Sequence, residues 1–396
     1  MELTLSPTSL SGIVAAIPSK SQAHRLLICA AFADRPTSLF CPQTNRDIEA
    51  TVDCLNALGA KIIRTDTGYQ VSPISAVPET AVLDCHESGS TLRFMLPIAG
   101  ALGVDAVFQM AGRLPQRPLS PMWEEMERMG CFLSRPTADT IRCTGKLLPG
   151  SYTIDGGISS QFVTGLLFAL SLLDGESSLQ LTGKVESLPY IQMTLAALKT
   201  FGLSIPEEYL RYLICPSKMT SPGKLDVEGD WSNAAFWFAA KALGSDLTVT
   251  GMNMDSPQGD RAVLDCLKKL EENCVIDATH IPDLVPILSV VAGAKMGAAF
   301  INAGRLRLKE TDRLATTAAL IQNIGGKAKI QGNTLIIHPT GYTGGTVDAT
   351  GDHRIAMAAA IAATVCTAPV TVIGAESVKK SYPAFWQDYE MLGGKL

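Results

Sequence analysis

The chain has 396 residues, of which 46% are hydrophobic and 18% are charged, and its formal net charge is -5 at pH 7. This length is too great for one compact core and fits two ordinary domains. An acidic chain lacks the basic face that general nucleic-acid and anionic-membrane binders need, so we expect neither a nucleic-acid nor a membrane partner.

Six segments of the chain share one form, in which a short polar head precedes an apolar stretch. In chain order they are PSKSQAHRLLI from Pro18, SGSTLRFMLPI from Ser88, GISSQFVTGLL from Gly157, GDWSNAAFWFA from Gly229, IPDLVPILSVV from Ile281 and GDHRIAMAAAI from Gly351. The heads Lys20, Ser90, Ser160, Trp231, Asp283 and His353 are separated by 70, 70, 71, 52 and 70 residues. This near-constant period indicates an internal repeat, and helices this apolar are expected to be buried on all sides.

A second set of helices lies between these heads, and each ends at a glycine followed by a strand. The glycines, which we predict to be helix C-caps because glycine enters the left-handed region most easily, are Gly59, Gly130, Gly202, Gly325 and Gly393. A hairpin-like pair of alternating runs follows the first four, as in KIIRTDTGYQVSPI. Each repeat therefore reads strand, helix, strand, helix, hairpin.

The chain termini suggest how two domains are built from six repeats. The fourth repeat is shorter by about a hairpin, and the sixth ends at Leu396 without one. We expect the N-terminal runs ELTLSP and GIVAAIPS to return to the sixth repeat and supply its missing strands. One domain then covers residues 14–222, and the second joins residues 1–13 to residues 223–396, with the chain crossing near 17–19 and 227–230.

The cysteines, the histidines and one apolar run carry weaker signals. Ten cysteines without a CxxC pair, after an N-terminus without a signal sequence, indicate a cytoplasmic protein with reduced thiols. Five histidines without ligand spacing imply no metal site. Residues 355–375 carry no charge, but Pro369 divides them, so a helix followed by a buried strand is favoured over a membrane span.

The helix heads have the chemistry of an anion-binding site. A helix N-terminus presents unpaired N–H groups and a partial positive charge. Ordinary capping explains Ser, Thr and Asp at these heads equally well, but it does not explain Lys20, Arg25, Arg93 and Arg354, because the helix dipole disfavours cations in a first turn. Together with the cationic segments RLPQRP, RLRLKETDR and VKKSYPAF, these heads predict a substrate that carries phosphate and carboxylate groups.

A set of motifs carries a resemblance to a known family. In chain order they are PSKSQAHR, ESGSTLRF, RLPQRP, GISSQF, ESLPY, VEGDWS, IPD, RLRLKETDRL, GDHRIAM and KKSYP. With them the chain resembles the EPSP synthases (3-phosphoshikimate 1-carboxyvinyltransferases) over essentially its whole length. The resemblance implies an inside-out α/β fold of two domains, each made of three βαβαββ units around buried helices. It also implies an activity in chorismate and aromatic amino-acid biosynthesis, namely transfer of the enolpyruvyl group of phosphoenolpyruvate to the 5-hydroxyl of shikimate 3-phosphate, by a monomer that uses no cofactor.

The resemblance further assigns roles to residues. The implied shikimate 3-phosphate ligands are Lys20, Ser21, Arg25, Ser159, Ser160, Gln161, Ser187, Asp283 and Lys309. The implied phosphoenolpyruvate ligands are Lys20, Gly89, Arg117, Gln161, Arg313, His353, Arg354 and Lys380. The implied catalytic residues are Asp283, Glu310, Lys20 and Lys309, and the two carboxylates are the candidates for proton transfer, because the reaction needs both a base and an acid. Residues 14–222 would then mainly bind shikimate 3-phosphate, and the second domain would mainly bind phosphoenolpyruvate and supply catalytic residues.

Several positions depart from the family pattern: Ser90 and Thr91 replace a Gly-Thr-Ala style head, and Phe94 falls where a proline often follows Arg93. Glu87 and Arg305 stand where members of the family carry asparagine, so the fine contacts and the response to the inhibitor glyphosate do not follow from the resemblance. Gly89 favours inhibition by glyphosate, because a side chain there would crowd the inhibitor.

The sequence disfavours three alternative functions. The UDP-N-acetylglucosamine enolpyruvyl transferases share the fold but use a Lys-Asn pair where this chain has Lys20-Ser21, and a loop cysteine that RLPQRP lacks. An RNA 3′-phosphate cyclase is disfavoured by the acidic composition. A non-catalytic sugar-phosphate binder is disfavoured by the presence of Asp283, Lys309 and Glu310.

Overall fold

The computed structural model describes residues 1–396 and contains 21 strands and 12 α-helices. The strands are β1 Glu2–Leu5, β2 Ser11–Ala15, β3 Thr37–Phe40, β4 Lys61–Thr65, β5 Gly68–Ser72, β6 Thr80–Asp84, β7 Asp105–Gln109, β8 Cys131–Ser134, β9 Thr140–Gly145, β10 Ser151–Asp155, β11 Ser177–Thr182, β12 Glu207–Glu208, β13 Arg211–Ile214, β14 Lys224–Asp226, β15 Asp246–Thr250, β16 Cys274–Asp277, β17 Ala298–Ile301, β18 Lys327–Gln331, β19 Thr334–His338, β20 Gly345–Asp348 and β21 Val370–Ile373. The helices are α1 Lys20–Ala31, α2 Arg46–Ala57, α3 Gly89–Leu102, α4 Met122–Arg128, α5 Ser160–Leu170, α6 Leu188–Thr200, α7 Trp231–Ala242, α8 Val263–Lys269, α9 Val285–Ala294, α10 Arg313–Asn323, α11 His353–Ala363 and α12 Phe385–Met391.

The chain divides into two compact units, each with its own hydrophobic core. The discontinuous unit joins Met1–Ile17 to Glu228–Leu396, and the continuous unit is Pro18–Val227. The first boundary lies four residues beyond the predicted position 13, and the second lies five residues beyond 222. Strand pairing explains each difference. At the first boundary, β2 pairs with β15 and so belongs to the discontinuous unit; at the second, β14 pairs with β3 and so belongs to the continuous unit.

The continuous unit contains three four-stranded sheets of one design. Their strand orders are β14-β3-β5-β4, β6-β7-β9-β8 and β10-β11-β13-β12. In each sheet the first two strands are parallel and the last two form an antiparallel hairpin. The predicted order of strand, helix, strand, helix and hairpin is therefore confirmed for the second and third sheets, as is the α/β fold class. In the first sheet the leading strand is β14, which comes from the far end of the unit in sequence.

The discontinuous unit repeats this design once in full, in the sheet β16-β17-β19-β18, and completes its other two sheets with N-terminal strands. Strand β1 pairs antiparallel with β21, so the prediction that ELTLSP returns to the sixth repeat is confirmed. The same prediction for GIVAAIPS is wrong, because β2 pairs in parallel with β15 of the fourth repeat. The physical reason is that β14, which leads the fourth repeat in sequence, pairs with β3 instead and leaves one edge of β15 open.

Each of the six predicted apolar segments forms a helix, namely α1, α3, α5, α7, α9 and α11. Every residue of α11 from His353 to Ala363 is buried, which agrees with the expectation of helices enclosed on all sides. The uncharged run 355–375 contains the end of α11 and the strand β21, as predicted. None of the helices has the length and apolar character required to cross a membrane.

The five predicted glycine caps are also confirmed. Their φ angles lie between +84° and +109°, in the left-handed region that glycine enters most easily. At Gly325 the space is restricted as well, because a Cβ there would lie 2.2 Å from the Oγ1 atom of Thr343. A substitution at this cap would therefore strain both the backbone and the packing.

Candidate functional site

The head of α1 brings the first predicted ligand, Lys20, onto a carboxylate. Ser19 caps the helix by accepting a hydrogen bond from the backbone N–H of Gln22. The Nζ atom of Lys20 lies 2.9 Å from Oδ2 of Asp47, whose side chain is almost fully buried. Sequence reasoning missed Asp47, because an acidic residue in the first turn of a helix such as α2 is ordinarily there for the helix dipole.

Arg25 lies one turn further along α1 and is buried. Its guanidinium donates to the carbonyl oxygens of Ser21 and Tyr190 and to the hydroxyls of Thr194 and Thr164. These bonds use four of the five guanidinium hydrogens, so one hydrogen on Nη1 remains for a substrate. Burial lowers the pKa of Arg25 to about 10, which leaves it charged at neutral pH. Arg25 thereby ties α1 to α5 and α6, and its predicted contact with substrate stays a prediction.

The head of α3 places two guanidinium groups against a glycine. Gly89 is the first helical residue, and a Cβ built on it would lie 2.5 Å from Nη1 of Arg117 and 2.7 Å from Nη1 of Arg93. Arg93 is held by hydrogen bonds to the carbonyl oxygens of Gly89 and Pro118. The Nε atom of Arg117 is buried and has no hydrogen-bond partner. This arrangement of two cations at a helix N-terminus suits an anionic ligand.

The heads of α5 and α6 supply the predicted serines and glutamine. Ser159 caps α5 by accepting from the backbone N–H of Gln161, and Ser160 is buried beside it. The Nε2 atom of Gln161 donates to Oγ of Ser90 at 2.9 Å, which joins the head of α5 to that of α3. Ser187 precedes α6 with φ at +56°, a strained conformation for a residue other than glycine. Strain of this kind often marks functional sites, which is consistent with the predicted role of Ser187.

A buried row of side chains behind these heads was not predicted. Nδ1 of His24 lies 2.7 Å from Oγ1 of Thr51, Thr51 lies 2.8 Å from Thr91, and Thr91 donates to Oγ of Ser88. Burial lowers the pKa of His24 to about 3, so its ring is neutral. These residues are single polar positions on apolar helices, and the sequence does not indicate that their side chains form hydrogen bonds with one another.

In the discontinuous unit, five predicted residues form one network, here called the Asp283 cluster: Asp283, Lys309, Glu310, Arg313 and Arg354. Asp283 lies in the turn before α9, and its Oδ1 atom is 3.1 Å from Nζ of Lys309 and 2.8 Å from Nη1 of Arg313. Its Oδ2 atom is 3.3 Å from Nη2 of Arg354. The carboxylate of Asp283 therefore contacts three cations, and all three are distant from Asp283 in sequence.

Arg313, the first residue of α10, connects this carboxylate to two more. Its side chain is 1% exposed and contacts Glu310 at 2.5 Å and Asp352 at 2.9 Å. Asp352 also caps α11 by accepting from the backbone N–H of Arg354. The rigid geometry of arginine suits this fork of acceptors.

The charges of the Asp283 cluster shift its proton affinities. Burial by itself would raise the pKa of Asp283, but the positive charges of Arg354, Lys309 and Arg313 outweigh it and hold that pKa well below its usual range. Burial lowers the pKa of Lys309, an effect that the charge of Asp283 opposes. Asp283 is therefore ionised at neutral pH, and Lys309 releases its proton more readily than an exposed lysine does.

Arg354 has a second anchor that sequence reasoning did not find. Its Nη2 atom donates to Oγ of Ser232 at 2.8 Å, and Ser232 in turn donates to Oδ2 of Asp260. Burial raises the pKa of Asp260 to about 6, and the charge of nearby Asp283 adds to that effect. Asp260 belongs to the segment SPQGDR, which carries no motif signal by itself.

The other two predicted ligands of this unit are placed by their elements. His353 is the buried first residue of α11, directly before Arg354. Lys380 ends the 3-10 segment Ala375–Lys380, and the Oγ atom of the next residue, Ser381, lies 3.4 Å from Oδ1 of Asn233. Because Asn233 follows Ser232 in the first turn of α7, the segment that ends at Lys380 lies at the same end of α7 as the anchor of Arg354.

Glu87 and Arg305, which depart from the family pattern, lie next to the head of α3 and near Lys309, respectively. The side chain of Glu87 packs against Gly112, whose added Cβ would lie 2.8 Å from the carboxyl carbon of Glu87. Arg305 lies in the 3-10 segment Gly304–Leu308, and its charge contributes to lowering the pKa of Lys309. No group of three or more His, Cys, Asp or Glu side chains is arranged to hold a metal ion.

The repeated βαβαββ units, with cations at their helix heads and buried carboxylates among them, define a class: α/β enzymes that act on small, multiply anionic substrates. The sequence profile described as EPSP synthase (3-phosphoshikimate 1-carboxyvinyltransferase) matches residues 5–280 and 273–389. The chain therefore belongs to the EPSP synthase family.

Relatives and solved structures agree with this assignment. A 3-phosphoshikimate 1-carboxyvinyltransferase of Clostridium kluyveri is 37% identical over 416 residues, which cover 100% of this chain and 98% of the relative. The enzyme of the same description from Clostridium beijerinckii is 38% identical over 423 residues, covering 99% and 97% of the two chains. The EPSP synthase structure from Acinetobacter baumannii has the same fold, with a TM-score of 0.80 at 21% identity over 99% of this chain and 98% of that one.

Proposed function

We propose that this chain transfers the enolpyruvyl group of phosphoenolpyruvate to the 5-hydroxyl of shikimate 3-phosphate and releases inorganic phosphate. Membership of the EPSP synthase family supports the reaction. The observation that carries it is the Asp283 cluster, in which one ionised carboxylate is held by Lys309, Arg313 and Arg354. Such a cluster combines a proton acceptor with the cations that a substrate bearing phosphate and carboxylate needs.

The substrate-binding roles follow the chemistry of each residue. In the continuous unit, Ser159, Ser160, Gln161 and Ser187, together with Lys20, Ser21 and Arg25, bind shikimate 3-phosphate. Gly89, through its backbone, and Arg117 bind phosphoenolpyruvate, as do Lys20 and Gln161. In the discontinuous unit the residues that bind phosphoenolpyruvate are Arg313, His353, Arg354 and Lys380, and those that bind shikimate 3-phosphate are Asp283 and Lys309. The buried arginines Arg25, Arg313 and Arg354 support these roles, because the two substrates carry four anionic groups between them.

The reaction proceeds by addition and then elimination. In the addition, the 5-hydroxyl oxygen bonds to C2 of phosphoenolpyruvate while C3 accepts a proton. In the elimination, C3 loses a proton, the C2–C3 double bond reforms, and the bond from C2 to the phosphate oxygen breaks. One group must therefore take the hydroxyl proton and another must deliver a proton to C3, with the second role reversed in the elimination.

Asp283 is the base in this proposal, and substrate binding raises its proton affinity. The positive charges of Arg354, Lys309 and Arg313 hold its pKa low. When the anionic groups of phosphoenolpyruvate draw Arg313 and Arg354 towards themselves, those cations stabilise the carboxylate less, and its pKa rises. In this proposal Glu310, in contact with Arg313, and Lys309, whose pKa burial lowers, exchange the proton with C3.

The test is phosphate release by the purified chain. With both substrates present and a chelator in place of metal, we expect phosphate and the enol ether product, identified by mass, in equal amounts. Each substrate alone should give neither. Release with UDP-N-acetylglucosamine as acceptor, and not with shikimate 3-phosphate, would establish the alternative function instead.

We further propose that the chain works in the cytoplasm as a monomer without a cofactor. Its ten free cysteines, most of them buried, support a reducing compartment. Light scattering of the purified chain tests the monomer: a mass near 42.1 kDa is expected, and a mass of twice that value would contradict it.

A further inference from the structure

We propose that Asp260 is a positioning residue that fixes the guanidinium of Arg354 through the hydroxyl of Ser232. The proposal deepens the proposed function, because it rests on Arg354 as a ligand of phosphoenolpyruvate. Asp260 itself would touch no substrate.

The three side chains come from three different elements and meet inside the discontinuous unit. Asp260 lies in the 3-10 segment Gly259–Ala262, Ser232 in the first turn of α7, and Arg354 in the first turn of α11. Their residues are 4%, 9% and 4% exposed. A row of hydrogen bonds shielded from water fixes a side chain more firmly than one at the surface.

The direction of the hydrogen bond between Ser232 and Asp260 depends on the charge of Asp260. A serine hydroxyl has one hydrogen to donate and two lone pairs to accept with. An ionised carboxylate only accepts, so Asp260 takes the hydrogen of Ser232, and the lone pairs of Ser232 are directed to Nη2 of Arg354 at 2.8 Å. The other guanidinium nitrogen, Nη1, donates to the carbonyl oxygens of Ser232 and Asp283. Ser232 therefore contacts both ends of the Arg354 fork.

Asp260 does not act as a helix cap. The 3-10 segment that contains it begins after Gln258 and has no side-chain capping bond. The helix α7 is capped by Asp230, which accepts from the backbone N–H of Asn233. The hydrogen bond from Ser232 to Asp260 therefore caps no helix. Ser232 also accepts a hydrogen bond from Arg354, so the bond to Asp260 acts on the position of Arg354.

The charged groups around Asp260 make the arrangement sensitive to pH. Asp283, Arg354 and Asp230 are the charges that act on Asp260, and burial is the largest influence on its proton affinity. Its pKa is raised to about 6, so the carboxylate is ionised above that pH and protonated below it. A protonated Asp260 carries its own hydrogen and no longer requires the hydrogen of Ser232, so the Ser232 hydroxyl is held less firmly against Arg354 as the pH falls.

The experiment compares Ser232→Ala, Asp260→Asn and the double variant with the unaltered chain. The dissociation constant of phosphoenolpyruvate alone is measured by phosphorus NMR titration, and its KM and kcat are measured at saturating shikimate 3-phosphate. We expect each single variant to raise both constants about 10-fold, as for loss of one hydrogen bond to a charged group. In the double variant the dissociation constant and the KM should be no higher than in either single variant, because both substitutions break the same row of hydrogen bonds. kcat should change less than about 3-fold, because Asp260 acts on binding alone.

Asp265→Asn, at a carboxylate that is 78% exposed on the neighbouring α8, is the matched control and should change neither the dissociation constant nor the kinetic constants.

A pH series separates positioning from a merely structural effect. As the pH falls below 6, the dissociation constant of phosphoenolpyruvate should rise more steeply for the unaltered chain than for Asp260→Asn, because the asparagine at position 260 cannot titrate. Unchanged dissociation constants, additive effects in the double variant, or a loss confined to the melting temperature would overturn the proposal, as would an unaltered chain that binds no phosphoenolpyruvate. If the unaltered chain binds phosphoenolpyruvate but releases no phosphate, the proposed function fails and the titrations still decide the role of Asp260. If Asp260→Asn does not fold, Ser232→Ala decides it by the same titration.

Discussion

Replacement of Gly89 by alanine is expected to impair phosphoenolpyruvate binding by displacing Arg117. The added Cβ would lie 2.5 Å from Nη1 of Arg117, whereas ordinary contacts begin at 3.4 Å, so the guanidinium must move by about 0.9 Å. Arg93 is also crowded, but two carbonyl oxygens hold it. Arg117 has a buried Nε atom without a hydrogen-bond partner and is the group that yields.

A displacement of about 1 Å in a positioning group costs on the order of 100-fold in rate. We therefore expect kcat/KM for phosphoenolpyruvate to fall about 100-fold in Gly89→Ala, which corresponds to about 2.7 kcal/mol. The dissociation constant of shikimate 3-phosphate, whose proposed ligands lie mainly on α1, α5 and α6, should change less than about 2-fold.

The control for this prediction is Arg117→Ala. If Gly89→Ala acts by moving Arg117, adding it to Arg117→Ala should cause little further loss, because the group that it displaces is already absent. Steady-state kinetics on the two single variants and the double variant measure this. A Gly89→Ala enzyme with an unchanged KM for phosphoenolpyruvate, or effects that add in full, would refute the reasoning.

Three further predictions follow from the structure. Asp283→Asn should lower phosphate release by at least about 100-fold, because it removes the proposed base, while the exposed Asp265→Asn should not; a near-normal rate in Asp283→Asn would count against that role. Burial lowers the pKa of His24 from 6.5 to about 3, so between these pH values the unfolded chain binds a proton that the folded chain does not. The free energy of unfolding should therefore be unaffected by His24 above pH 6.5 and should fall by about 1.4 kcal/mol per pH unit as the pH falls towards 3. Urea unfolding of His24→Asn should show a flatter pH dependence, whereas the exposed His338→Asn should not, and equal slopes would contradict the assignment. Glyphosate at millimolar concentration should slow the unaltered enzyme, since Gly89 leaves space beside Arg117, and an unchanged rate would oppose this.

Most of the fold was predictable because its signals are local. Six apolar segments at a near-constant spacing, and five glycines with positive φ, mark the helices and their ends without knowledge of their contacts. The partner of β2 was predicted wrongly, because strand pairing is decided by which edge is open. That edge opens only because β14 pairs with β3, which no local pattern encodes.

The candidate site divides in the same way. Lys309, Glu310 and Arg313 lie within one motif, and the resemblance to a family marked them together with Asp283 and Arg354. Asp47 and Asp260 were missed, because an isolated aspartate in a first turn or a short loop has no distinctive sequence context. Their importance arises from burial beside a cation, a property of the folded chain.

The most direct test of the central claim is the stoichiometry of phosphate release by the purified chain given phosphoenolpyruvate and shikimate 3-phosphate, with a chelator and without nucleotide. We predict one phosphate for each enol ether product found by mass spectrometry, and none when either substrate is omitted. Phosphate release that does not depend on shikimate 3-phosphate, or no release from a folded chain, would contradict it.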